Sequence, residues 1–246
     1  MGKLRINVFL IVIILISGCS NLHPRTEVIT YGAGFPSEAL MDDAGLSWHA
    51  IRFRMPFGPD GQVNWAMDLL LAHGVLGLMI AEHRDRLPLW RFHRRAGRDA
   101  AGHQFSLIFY ANVSTANSLF AWLEGDAILA SAREKGLLNE VIQQIEPFED
   151  ASLLSATSDK IWHPALQKQW PSYIMGVSAT WLGLIEELVP APETEHETLE
   201  QMLARYHTAN DRLTELWQGQ GQHAFFHHLN AVFGYEPLMI RRFMRF

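Results

Sequence analysis

Cysteine is almost missing from this chain: Cys19 is the only one in 246 residues. No intramolecular disulfide and no cysteine-based metal cluster can therefore form. Positive charge is also in deficit, with 20 Lys and Arg against 26 Asp and Glu and a formal net charge of −6. General nucleic-acid affinity needs a basic surface, so nucleic acid is not an expected partner. No glycine-rich phosphate loop, internal repeat or low-complexity segment occurs. The stretch GVSATWLG lacks the second glycine of a nucleophile elbow and sits in helical context. What is present is apolar bulk, 48% of all residues. That is enough for a real core, and at this length one domain, or one domain with a large extension, is expected.

The N-terminus reads as a targeting segment. MGKLR supplies Lys3 and Arg5, and INVFLIVIILI follows as an apolar run. The run is shorter than the about 20 residues of a membrane span. It ends at Ile16, Ser17, Gly18 and Cys19, which resembles a bacterial lipobox. The resemblance implies a signal peptide over 1–18, cleavage before Cys19 and acylation of that residue. Ser20, rather than Asp, then implies the outer membrane, with the body facing the periplasm. Residues 19–46, with Pro24, Gly32, Gly34, Pro36 and Gly45 and little periodicity, read as a tether. Losing Lys3 and Arg5 takes two of the 20 basic side chains and moves the net charge to −8. Anionic lipid would repel such a body, so the expected membrane partnership runs through the anchor alone.

From residue 47 the pattern becomes periodic. LSWHAIRFRMPF alternates as a strand does, and FGPDG breaks it. QVNWAMDLLLAHGVLGLMIAEHRDR reads as a long helix, LPLWRFHRRA and HQFSLIFYA as two further strands, and the segment opening NVSTANSLF as a helix capped by Ser114. LLNEVIQQIE closes the set as a fourth strand. The order β-α-β-β-α-β over 47–147 is that of a ferredoxin-like α+β domain with an antiparallel sheet. Residues 148–246 read as helical. LQKQWPSYIMGVSATWLGLIEEL is apolar nearly all round and is expected as a buried core helix. This helical half is expected to cover the second face of the sheet.

The strand alternation sorts one basic stretch. Ile51, Phe53, Met55, Trp90, Phe92, Phe105, Leu107 and Phe109 should face the first helices. Arg52, Arg54, Arg91, His93, Gln104 and Ser106 should share the opposite face, while Arg95 and Arg98 belong to the loop. Guanidiniums under a cover need anions, because an unpaired buried charge costs several kcal/mol. The partners are either internal carboxylates, with Glu186, Glu187 and Asp211 the candidates, or a bound carboxylate or phosphate, which arginine grips bidentately.

Late in the chain, HAFFHHLN places His223 and His227 one helical turn apart. They lack a third ligand at a recognisable spacing and the glutamate of H-E-x-x-H, so neither a metal nor a cofactor is expected. His103, His227, His228 and Asn230 remain candidates for lining a pocket opposite the arginines.

LWRFHRR, then GHQFSLIFY and a helix, resembles the paired strands in the C-terminal domain of lantibiotic dehydratases and thiopeptide-type bacteriocin biosynthesis proteins. RYHTANDRLTELW and FFHHLNAVFG are similar to that family's closing helices, and the order of elements agrees over most of 47–235. His103, Asn230 and one arginine among Arg91, Arg94 and Arg95 coincide with its pattern, while two of its arginines fall on Phe105 and Leu107. The resemblance implies the fold above and an enzyme acting on a peptide by elimination, with Arg91 and a histidine near 227. An exported protein would not meet aminoacyl-tRNA.

Three functional readings follow. The first is a non-enzymatic envelope module binding an anionic small molecule or peptide between the sheet and the C-terminal helices. The second is the dehydratase-like enzyme. The third is a structural partner in the cell envelope whose arginines are neutralised internally.

Overall fold

The computed structural model describes residues 45–58, 60–96 and 102–237, without the side chain of Ala96. Cys19, the lipobox, most of the tether and Arg98 lie outside the described residues. The described chain is α+β, with four strands in one antiparallel sheet. The strands are β1 (Leu46–Met55), β2 (Leu89–Ala96), β3 (His103–Asn112) and β4 (Glu140–Gln144), in the spatial order β2-β3-β1-β4.

The helix α1 runs from Trp65 to Glu82 and is π-wound over Leu71–Gly77. Asn64 caps it, its side chain accepting from the Met67 amide. α1 is long and apolar enough to cross a membrane, yet most of it is buried in this fold, where it serves as the central core helix. The helix α2 (Val113–Glu124) follows β3 directly. Its cap is Asn112 rather than Ser114, because Asn112 is the residue still in extended conformation, with its side-chain oxygen on the Thr115 amide. The helix α3 (Ala127–Glu134) starts at Asp126 and leads to β4.

The period of two does the sorting. Phe53 pairs with Phe105, and Ile51 with Leu107 and through it with Phe92. All are buried with Met67, Leu70, Leu71 and Val75 of α1 and with Leu119 and Leu123 of α2 in one core cluster. Phe105 stands at its centre, with ring centroids 5.3 Å from Phe92, 6.2 Å from Trp181 and 6.4 Å from Phe53.

The C-terminal half consists of α4 (Pro164–Leu188), α5 (Leu199–Gly221), a π-wound continuation over Gln222–His227 and the short α6 (His228–Val232). α4 was expected as a buried core helix. It buries only a stripe, Pro171, Met175, Ser178, Leu182 and Ile185, and leaves Leu166, Tyr173 and Val177 exposed. It lies along β2, the edge strand, where the Ser178 hydroxyl accepts the Phe92 backbone N–H at 3.0 Å. An unpaired sheet edge is thereby covered. α5 begins with a Thr198–Gln201 capping box and packs on α1. A contact from α1 to both helices runs through His73, whose Nδ1 meets the Tyr206 hydroxyl at 2.7 Å and whose Nε2 meets Glu186 Oε2 at 2.5 Å. The approach needs Gly74, since a Cβ there would stand 3.3 Å from that hydroxyl and 3.0 Å from Leu70 Cδ1.

The second sheet face is thus not roofed by the long helices. At one end it is covered by the segment after β4: Trp48 Nε1 donates to the carbonyls of Leu153 and Leu154, and the Tyr110 hydroxyl to that of Ser152. Replacing Phe105 by Ala should cost about 3–5 kcal/mol in urea unfolding, because the three rings around it cannot close the cavity. Leu166→Ala, at a site 59% exposed, should change stability by no more than about 0.5 kcal/mol.

Candidate functional site

The strand register brings most of the expected cations together. Arg52 faces Ser106 on β3, and Ser106 faces His93 on β2. The neighbouring row runs Gln144, Ala50, Ile108, Arg91, and the next runs Glu140, Arg54, Gln104, Arg95. Arg52, Arg54, Arg91, His93, Gln104 and Ser106 therefore do share the second face. Arg95, read as a loop residue, belongs to it too, at the end of β2, with Nη1 donating to the Gly102 carbonyl at 3.2 Å.

The proposed internal carboxylates do not reach this face. Glu186 is taken by His73, Asp211 by the exposed His207 at 3.7 Å, and Glu187 is exposed on α4. Arg54 pairs with Glu140 at 3.1 Å at the exposed margin of this face. The Gln104 amide donates to the Ser106 hydroxyl at 3.1 Å.

Arg91 is the most deeply held of these cations. Burial pushes its guanidinium down to about 10. Its only hydrogen bond among the described residues is a long one, 3.5 Å from Nη2 to the Thr157 carbonyl. Among the described residues four buried side-chain N and O atoms lack a partner; two of them, Arg91 Nε and Thr157 Oγ1, belong to this contact, while Gln144 Oε1 lies on β4, at the opposite edge of the sheet from β2. His93 is exposed, but partial desolvation and the charges of Arg91, Arg52 and Arg95 hold it below the usual histidine range. Desolvation and then Arg54 lower Arg52 in the same sense. Burial works against positive charge at Arg52, Arg91 and His93 alike.

A second group was not anticipated as a unit. Asp68 of α1, wholly buried, receives Arg94 Nε at 2.7 Å on Oδ2 and faces His103 Nε2 at 2.7 Å on Oδ1. His103 is fully buried, and its Nδ1 lies 3.1 Å from the Arg95 carbonyl. Arg94 lies on the core side of β2, opposite Phe105, with its guanidinium 4.4 Å from the Trp65 ring and 5.1 Å from the Trp181 ring. The fourth unpartnered buried atom is Arg94 Nη2. Beside it opens a cleft of about 340 Å³ lined by Trp65, Arg94, Asn210 and Thr214. Alternation carried two residues past Phe92 reaches Arg94 on the core side, a step the sequence reading did not take. A charged residue at an apolar-face position was the available signal, and Asp68, an acidic residue within an apolar helix, was its counterpart.

The other pocket candidates are elsewhere. His227, His228 and Asn230 were placed opposite the arginines, but they sit on the last helical turns, which touch α5 and each other rather than the sheet. His223, His227, His228 and Tyr235 gather there as exposed rings 5.3–5.6 Å apart. The helix carries them past the body, so helical spacing could not bring them to β2. Among the described residues no group of three or more His, Cys, Asp or Glu is arranged to hold a metal ion. No family model, curated protein or solved structure matches the chain.

If Arg91 is uncompensated, exchanging it for an apolar chain of similar length relieves a cost rather than creating one. Arg91→Met should raise the stability of the ligand-free protein by about 1 kcal/mol in urea unfolding. A loss of more than about 1 kcal/mol would mean that the fold already neutralises Arg91.

Proposed function

We propose that this protein is a binding module for an oxyanion, held on the second sheet face around Arg91. We read its β2-β3-β1-β4 sheet as ferredoxin-like, with the two intervening helical segments on the first face. One observation carries the functional reading: at the contact between Arg91 and the Thr157 carbonyl, a guanidinium Nε and the Thr157 hydroxyl are both buried without a partner. Leaving such groups unmade is expensive, at about 1–3 kcal/mol each and more for a charged one. A ligand oxygen would take the Arg91 donor, with a second contact from Arg52 or His93. The unpartnered Thr157 hydroxyl, which can accept as well as donate, suits a ligand that also carries an O–H or N–H. Monohydrogen phosphate and carboxylates with an adjacent hydroxyl meet both demands.

The dehydratase-like enzyme has less support. His227 and Asn230 stand on a helix away from the sheet, and His103 is fully buried against Asp68. Neither arrangement offers a base beside Arg91 within reach of a peptide.

The test is a thermal shift series. Inorganic phosphate and lactate should raise the melting temperature of the wild type in a saturable way, and Arg91→Met should remove the effect. An anion beside His93 offsets the arginine charges that hold its protonation down, so binding takes up a proton. Affinity for sulfate, whose charge is constant over this range, should therefore rise as pH falls from about 8 to 5.5. A flat profile, or no saturable shift with any of these anions, would sink the reading.

The lipobox reading adds a place of action. The body would be tethered through acylated Cys19 to the outer membrane and would meet its ligand in the periplasm. Wild type grown with labelled palmitate should carry the label and Cys19→Ala should not, whereas an unlabelled wild type would refute the anchor.

A further inference from the structure

The cleft beside Arg94 is separate from the Arg91 face, on the other side of β2, and its charge balance can be worked out from hydrogen bonding alone. His103 Nδ1 faces a carbonyl oxygen, that of Arg95, which can only accept, so Nδ1 carries a proton. Nε2 faces Asp68 Oδ1 at 2.7 Å, so one proton lies between them. It belongs either to an imidazolium against a carboxylate or to a carboxylic acid against a neutral ring. In both arrangements the Asp68–His103 pair is neutral as a unit. The charge of Arg94 is then uncompensated, although its Nε is hydrogen-bonded to that pair.

The geometry says where the missing anion belongs. Asp68 spends Oδ1 on His103, so it grips Arg94 through Nε only and leaves Nη2 without a partner. Nη2 is buried, so the terminal nitrogen open to an oxyanion in the cleft is Nη1, which has neither a partner nor full burial among the described residues. Arg94 lines the cleft and its side chain is 30% exposed. The other walls set the character of the ligand. Trp65 offers a partly exposed indole, and Asn210, one helical turn before Thr214 on α5, offers an amide, while the Thr214 hydroxyl donates to the Asn210 backbone carbonyl at 2.8 Å. About 340 Å³ is at the small end of ligand sites.

We propose that this cleft binds a planar small-molecule carboxylate, an oxygen on Nη1 of Arg94 and its flat apolar part against Trp65. The buried Asp68–His103 pair does not touch the ligand. It positions the guanidinium and, by being neutral, leaves its charge for the ligand.

Benzoate, benzamide and acetate are the probes, titrated calorimetrically into the wild-type protein. Benzoate should bind saturably, at least tenfold more tightly than acetate and than the isosteric, uncharged benzamide. Thr214→Trp, which fills the cleft, and Trp65→Leu, which removes the stacking wall, should each weaken benzoate at least tenfold. Arg91→Met should leave it unchanged, which separates this site from the sheet-face site. The proposal is overturned if benzoate does not saturate, if benzamide equals it, or if Arg91→Met abolishes it. It is equally overturned if Trp65→Leu, folded by circular dichroism, binds as the wild type does. Should Thr214→Trp fail to fold, the Trp65→Leu comparison decides.

Discussion

Pairing of β1 against β3, from Leu46 with Asn112 to Met55 with His103, is the constraint on which both sites depend. A shift of one residue would turn every side chain to the other face. Phe53, Phe105 and Ile51 would then leave the core, and Arg52 would enter it. The apolar set is large enough to forbid that slip, so burying the core decides which face each arginine takes. The polar rows on the second face are a consequence of burying the first.

β2 shows how much a single strand can carry under that rule. Trp90 and Phe92 enter the core, and Arg91, His93 and Arg95 go to the second face. Arg94 then falls on the core side, where its charge must be met. Asp68 meets it from α1, and His103 meets Asp68 from β3, so three elements are joined at a fully buried carboxylate. The strand's free edge is covered by α4 through Ser178, leaving the polar faces rather than the edge open to a ligand.

The two sites neutralise charge differently. Around Arg91 the described fold supplies a distant carbonyl and no carboxylate, so the burden falls on burial and on whatever binds. Around Arg94 a carboxylate is present but is shared with a histidine that returns a proton to the balance. In both cases an arginine has fewer partners than its donors require, and each leaves a buried guanidinium nitrogen unpartnered.

Much of this was legible in the amino-acid order, because period-two alternation is a local property. It sorted Arg52, Arg54, Arg91, His93, Gln104 and Ser106 onto one face and outlined four strands and the helices between them. Hydrophobic content also found α4, but as a helix apolar nearly all round, where the fold buries only a stripe of it. What alternation could not say is which distant element lies over a face. The long helices took the β2 edge and α1, and the short segment after β4 took the end of the second face. The same limit hid Asp68, which looks like one acid in an apolar helix until α1 is laid across β2 and β3. It also misplaced His227, His228 and Asn230, whose spacing is sound but whose helix runs past the body. Local order determined what each face carries. Only the tertiary structure decided what each face meets, because the partner of a buried charge is set by packing between segments far apart in the chain.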